Sequence, residues 1–216
     1  VANDRSTERQ VEILKMMGCN SIRVTHNPAS DELIDACNKH GILVIDEAFD
    51  GWVAPKNSNS NDYSKWFNKK IEDGNEIMGA AENMTWAQFD LTAMIERGQN
   101  DPAIIMWSLG NEMWEGTGGY SDDYKTAQDN LVKWAKAADT TRPVTTGDNK
   151  LKSNETGAIT LGQELQKAGG IHGMNYSQEW KNHAGKTHYD MIHEAYPEWC
   201  MYGSETASAV NSRGIY

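Results

Sequence analysis

Long apolar runs are missing from this chain. The longest uninterrupted stretches are four or five residues, against roughly 20 needed to cross a bilayer as a helix. No membrane span is expected, and a membrane is not expected as a partner. The opening residues lack a basic stretch followed by an apolar one, so no signal peptide is expected, and the compartment stays open. Cysteine is scarce: Cys19, Cys37 and Cys200 are the only three. They make an odd count without metal-ligand spacing, and they read as buried free thiols. Positive charge is in deficit, with 20 Lys and Arg against 31 Asp and Glu and a net charge of −11. Nucleic acid and anionic surfaces are therefore disfavoured as partners. There is no repeat at fixed period, no low-complexity tract and no glycine-rich phosphate turn after a strand.

What is present is a steady alternation of helix and strand signals within 216 residues, enough for one domain with a sizeable core. Helical periodicity predicts helices over 6–17, 31–40, 86–97, 124–138 and 188–196. Short segments between the helices predict strands over 21–25, 42–46, 104–108, 144–146, 171–175 and 199–203, of which 42–46 is a continuous apolar run before its closing Asp46. Residues 51–83 break the pattern and read as a long loop of the kind that is usually functional. Strands separated by helices predict a parallel sheet with helical crossovers, and continuous apolar strands predict burial on both faces. A doubly wound sheet is the rival to a barrel, but it would be expected to carry the missing phosphate turn. Polar residues close every strand: His26, Asp46, Asn111, Asp148, Tyr176 and Glu205. That favours a (β/α)8 TIM barrel, in which all strand ends converge on one face.

Two of those strand ends carry the strongest chemistry. Trp107-Ser108-Leu109-Gly110-Asn111-Glu112 runs from a buried strand into an amide and a carboxylate, and Met201-Tyr202-Gly203-Ser204-Glu205 ends in a second carboxylate. Retaining cleavage of a glycosidic bond needs one carboxyl group to deliver a proton and another, about 5–5.5 Å away, to attack the anomeric carbon. Groups this distant in sequence meet only if the fold gathers strand ends. The eight Trp and eight Tyr exceed what a small core needs; Trp52, Trp114 and Trp180 follow strands and are candidates for stacking on sugar rings, while Trp107 reads as core.

Three segments resemble the catalytic barrel of glycoside hydrolase family 2, the β-galactosidase group. They are Asn20-Ser21-Ile22-Arg23-Val24-Thr25-His26-Asn27-Pro28 with the later Gly41-Ile42-Leu43-Val44-Ile45-Asp46-Glu47, then Asn100-Asp101-Pro102 through Glu112, then Tyr202-Gly203-Ser204-Glu205. Asp101 stands where many members have His, and Thr25 where Ser is common. The resemblance implies that Glu112 is the acid/base and Glu205 the nucleophile, that Asn111 bonds the sugar 2-hydroxyl, and that His26 and Tyr176 line the sugar subsite. It puts Asp46 and Glu47 at the same face and Arg23 inside the barrel, able to pair with a carboxylate. Some relatives bind magnesium beside the acid/base through a Glu-x-His after the Asp-Glu pair. Here the sequence reads Ala48-Phe49-Asp50-Gly51-Trp52, so no metal or other cofactor is expected. The family pattern also implies that residues 1–216 hold strands two to seven of a partial barrel, with the flanking β-sandwich domains of a parent chain as missing partners.

The implied activity is exo-acting, retaining hydrolysis of terminal β-glycosides, first of all β-D-galactosides. β-Glucuronidase or β-mannosidase activity and a non-catalytic carbohydrate-binding barrel are the alternatives. A metal-dependent barrel hydrolase would need clustered ligands, and the six histidines are scattered.

Overall fold

The computed structural model describes residues 3–72, 81, 83–151 and 155–208. Six strands form one parallel sheet: β1 (Ser21–Arg23), β2 (Leu43–Glu47), β3 (Ile104–Asn111), β4 (Val144–Asp148), β5 (Ile171–Asn175) and β6 (Met201–Glu205). Their spatial order is their sequence order, β1 to β6, and every adjacent pair is parallel. A doubly wound sheet reverses its order at a switch point. This sheet does not, so it is part of a (β/α)8 barrel. Among the described residues β1 and β6 share no backbone ladder, yet Arg23 Nη1 on β1 donates to Glu205 Oε1 on β6 at 2.8 Å. The sheet therefore curves until its outer strands face each other across the interior.

Helix α1 (Asp4–Met16) precedes β1, and the crossovers are α2 (Asp31–His40), α4 (Trp86–Gly98) after a short α3 (Ser64–Phe67), α5 (Asp122–Ala138), α6 (Thr156–Lys167) and α7 (His188–Ala195). Local chemistry sets their ends. Ser30 caps α2 by accepting from Leu33 N, and Gly41 closes it at φ 66°. Thr187 and Asp190 form a reciprocal capping box on α7. Apolar faces of the helices and the outward residues of the strands make the core, in which Val11, Leu91, Ile95, Trp107, Leu131 and Leu165 are fully buried. Trp107 is core, as its position implied, with Nε1 donating to Asp139 at 3.0 Å.

Three readings of the sequence need correction. Strand β3 continues beyond Ser108 to Asn111, because Asn111 still pairs with Gly147 in the ladder. Helix α6 had no sequence signal, since Gly157 and Gly162 interrupt its pattern. A Cβ at Gly162 would lie 2.7 Å from the Trp199 ring, so the glycine permits close packing there. Within 51–83, a 3-10 turn (Lys56–Ser58) and α3 are ordered structure, and Phe67 of α3 packs edge-on against Phe49; residues 73–80 and 82 lie outside the described residues.

Candidate active site

Inward-facing side chains from the C-terminal ends of β1, β2, β3, β5 and β6 meet in one hydrogen-bonded cluster. Arg23 is its hub. Its Nε and Nη2 donate to Glu47 Oε2 at 3.0 and 2.6 Å, Nη2 also reaches Asn111 Oδ1 at 3.0 Å, and Nη1 reaches Glu205. A Cβ at Gly147 would come within 2.4 Å of this guanidinium, so the glycine of β4 makes room for it. Glu47 is fully buried and uses its other contacts on Ser108, which donates at 2.6 Å, and on His26 Nδ1 at 2.6 Å. Asn111 Nδ2 lies 3.3 Å from His26 Nε2. An amide donor there calls for the histidine tautomer with its proton on Nδ1, directed at Glu47.

Glu205 takes hydrogen bonds from Arg23 and from the Tyr176 hydroxyl. Burial pushes its carboxyl up, but the Tyr176 bond and the Arg23 bond and charge outweigh that, and it sits below the usual carboxylate range. The same bond raises the Tyr176 phenol well above its ordinary value, with burial adding to it, so the hydroxyl stays a donor. Glu112 Oε1 accepts from Asn175 Nδ2 at 3.2 Å, and its Oε2 lies 3.8 Å from Lys56 Nζ. Asn175 Nδ2 also donates to Asn111 Oδ1 at 2.9 Å. One network thus joins Glu112, Asn175, Asn111, Arg23 and Glu205.

The backbone at two of these positions is left-handed: Glu112 has φ 45° and Tyr176 φ 56°. Such conformations cost a non-glycine residue on the order of 1–3 kcal/mol and concentrate at working sites. Each is anchored on the next strand, Glu112 N on Gly147 O at 2.7 Å and Tyr176 N on Glu205 O at 2.6 Å. Both follow a strand-ending asparagine, so Asn-Glu at 111–112 and Asn-Tyr at 175–176 are one backbone device used twice.

The structure brings together Glu112, Glu205, Asn111, His26, Tyr176 and Glu47, with Arg23 among them. Glu47 is sealed from solvent, so it positions Arg23 and His26 and does not touch a ligand. Asp46, one residue earlier, faces the opposite way: it is fully buried, accepts from Ala29 N at 2.8 Å and lies 3.6 Å from Arg97, outside the barrel interior. Two of the stacking candidates are corrected. Trp52 is fully buried, packed over Gly110 with Nε1 donating to Leu109 O at 2.9 Å. Trp114 is buried edge-on against Tyr120 and Tyr124. Trp180 is 46% exposed and stacks on His188 with ring centroids 4.3 Å apart, without a bond to the cluster among the described residues.

Asn175, Lys56 and Asp50 belong to the site without having been singled out. Asn175 had a signal, since it stands before Tyr176 as Asn111 stands before Glu112. Lys56 had none, because it comes from the long loop. Its Nζ donates to Asp50 Oδ1 at 2.6 Å, and Asp50 also accepts from Asn111 Nδ2 at 3.1 Å. Burial works to raise the Asp50 carboxyl, but the Lys56 and Asn111 bonds leave it lowered. A magnesium ion beside Glu112 does not fit these residues, because the ammonium of Lys56 already lies between Asp50 and Glu112. Among the described residues the one His/carboxylate grouping with ligand-like spacing is Glu8, Glu12 and His40 on α1 and α2, and it is taken up by Arg5 and Lys39.

Comparison with known proteins bears on the family and the fold. Over 99% of its length the chain is similar, at 30% identity, to a β-galactosidase of Bacteroides ovatus, and it spans 25% of that protein. Over 69% of its length it is 30% identical to the β-glucuronidase of Mus musculus, spanning 19% of it. Among solved structures, a glycosyl hydrolase family 2 member from Bacteroides cellulosilyticus superposes with a TM-score of 0.72 at 31% identity, covering 96% of this chain and 22% of that one. A β-glycosidase from Bacteroides vulgatus gives 0.70 at 31% identity, covering 100% and 22%. The model of the TIM barrel domain of glycosyl hydrolases family 2 matches residues 2–208, and the chain belongs to that family.

Proposed function

We propose that the chain carries the catalytic centre of a retaining, exo-acting glycoside hydrolase, with Glu205 as nucleophile and Glu112 as acid/base. The carrying observation is that the two carboxylates differ in surroundings within one network. Glu205 is held ionised by Tyr176 and Arg23, as attack on an anomeric carbon requires. Glu112 accepts one bond, from Asn175, and is anchored at its own backbone N–H, leaving its carboxyl free to give a proton to the leaving oxygen and later take one from water. In this reading Asn111 serves the sugar 2-hydroxyl by exchanging one of its present bonds, to Arg23, Asn175 or Asp50, and His26 and Tyr176 stand beside the ring.

A neutral sugar, first of all a terminal β-D-galactoside, is the substrate favoured here. The two cations of the cluster already hold carboxylates: Arg23 holds Glu47 and Glu205, and Lys56 holds Asp50. A glucuronide would need a cation to spare. β-Mannoside hydrolysis fits the same centre and is the second reading. No step calls for a metal. The chain spans 25% of its β-galactosidase relative, so the activity is assigned to a longer polypeptide in which flanking domains complete the site.

The test is a panel of p-nitrophenyl glycosides on that polypeptide, beside Glu112→Gln and Glu205→Gln. Each variant is expected to lose activity by about 10²–10⁴-fold, and wild type is expected to yield product of retained configuration by NMR. Full activity in either variant, or inverted product, overturns the assignment.

A further inference from the structure

The loop after β2 turns back into the candidate active site at Lys56, and several contacts fix it there. Lys56 N donates to Asp62 Oδ2 at 2.6 Å within the loop. The next two residues, Asn57 and Ser58, are both left-handed, at φ 50° and 61°, a conformation that non-glycine residues hold only where their surroundings demand it. Asn57 N donates to Glu115 O at 2.8 Å, and a Cβ at Gly116 would collide with Asn57 Oδ1. The loop after β2 is thus tied to the loop after β3, just beyond Glu112. The Lys56 side chain is 12% exposed and that of Glu112 14%, with Nζ 3.8 Å from Glu112 Oε2. Nothing in the opening chemistry of a carboxylate pair asks for this cation, yet the loop is built to deliver it.

The other groups around Glu112 are acidic or phenolic. Asp148 at the end of β4 and Tyr176 after β5 are close enough to feel its charge. Glu205 on β6 is joined to it through Asn175, Asn111 and Arg23. Glu115 follows on its own loop, paired with Lys150 at 2.6 Å. Among the described residues Lys56 is the one cation within ion-pair distance of Glu112. Its ammonium lies between Asp50 and Glu112, so its attraction for the Glu112 carboxylate exceeds the repulsion from Asp50 behind it. An acid/base has two duties: it gives a proton to the leaving oxygen and later takes one from water. Negative neighbours hold the proton on and hinder the first duty; a cation opposes them.

We propose that Lys56 is a positioning residue of the reaction: held by Asp50, its ammonium balances the negative groups around Glu112 and sets where Glu112 changes from proton donor to proton acceptor. The inference rests on the glycosidase reading above and gives the loop after β2 a part in the chemistry without contact to the sugar.

The test is the pH dependence of kcat/KM on the longer polypeptide. The substrate is the phenyl β-glycoside of the sugar that the panel above selects, because phenol leaves only with the help of a proton. Loss of that proton from the enzyme sets the alkaline limb of the profile. Without the cation the proton is held more tightly, so Lys56→Met is expected to move the limb up by about one pH unit. Lys56→Glu is expected to move it further in the same direction, and Lys56→Arg, which keeps the charge, to leave it within about 0.3 units of wild type. A loop that only loses its order lowers the rate at every pH and leaves the limb in place. A limb that stays or falls in Lys56→Met, or that moves equally in Lys56→Arg, overturns the proposal. Glu112→Gln is expected to abolish the limb. A limb that persists there overturns the acid/base assignment itself, whereas one that vanishes there but stands still in Lys56→Met overturns the role of Lys56 alone.

Discussion

Single residues carry their meaning here through position at a strand end, and that is why some were legible and others not. Asn111 and Glu112 could be read from a buried strand ending in a polar pair, and their left-handed partner pair, Asn175 and Tyr176, follows the same pattern. Trp52 and Trp114 misled because a tryptophan after a strand can fold back over that strand as easily as face a ligand, and Gly110 gives Trp52 the space to do so. Asp148 shows a strand-end group that does not enter the site at all. It points outward, its Oδ2 3.8 Å from His172 Nε2, and neither atom has a hydrogen-bond partner. Burial pushes Asp148 up to about 6 and His172 down to about 4, so at neutral pH the histidine is uncharged and the contact is not an ion pair. An unfolded Asp titrates near 3.9, roughly two pH units lower. Between those values the folded chain binds the extra proton, so this residue's contribution to stability falls as pH rises through the window and levels off above about 6. Asp148→Asn keeps an oxygen for Lys150 N, now at 2.6 Å, and offers an amide donor to His172. It is expected to add about 2 kcal/mol at pH 8 and little at pH 4, measured by urea unfolding at both. A gain of equal size at both pH values would rule out ionisation as the cause.

At the scale of elements, β2 and β3 were visible as short continuous apolar runs, Ile42 to Ile45 and Ala103 to Trp107, the other strands as short stretches between helix signals, and most helices because one face is apolar at 3.6-residue spacing. Helix α6 was invisible for a packing reason: its glycines serve neighbours rather than the helix. Gly157 lies under Tyr120 and Gly162 under Trp199, and glycine lowers helix propensity by about 1 kcal/mol against alanine. Gly162→Ala sets the two effects against each other. Propensity favours alanine by about 1 kcal/mol, while forcing a methyl to within 2.7 Å of the Trp199 ring is overpacking, which costs about 1–3 kcal/mol. The expected net result is a loss of about 1 kcal/mol by chemical denaturation. Trimming the ring, as Gly162→Ala with Trp199→Leu, is expected to be less destabilising than the two single changes summed. Simple additivity would mean that the contact is not what keeps glycine at 162.

For the whole molecule, the strand order could be anticipated from the alternation of elements, but the means of holding the arc could not, because it depends on one side chain that reaches four strands. Arg23 starts on β1, bonds Glu47 of β2, Asn111 of β3 and Glu205 of β6, and packs against Gly147 of β4. Its side chain is 6% exposed, and that of Glu47 is fully buried. Taking two charges out of water costs several kcal/mol per ion, so the pair as a whole is not a large source of stability, whereas breaking it strands a buried charge at a cost of about 3–5 kcal/mol. Arg23→Met is therefore expected to lower unfolding free energy by about 3–5 kcal/mol and to remove activity, because Glu205 loses a hydrogen bond that keeps it ionised. Arg23→Lys keeps the charge but has a single nitrogen, which cannot serve Glu47 and Glu205 with the geometry of a guanidinium fork, so its activity is expected to fall too. The informative variant is the double change Arg23→Met with Glu47→Gln. It no longer buries a lone carboxylate, so it is expected to regain part of the lost stability, a coupling of about 1–3 kcal/mol in a double-mutant cycle by urea denaturation. Activity is not expected to return with it, since Glu205 still lacks its partner. Stability without activity would separate the two uses of Arg23, closing the arc and holding the nucleophile; recovery of both together would mean that Glu205 does not depend on Arg23, and no recovery of stability would mean that the arc is held elsewhere.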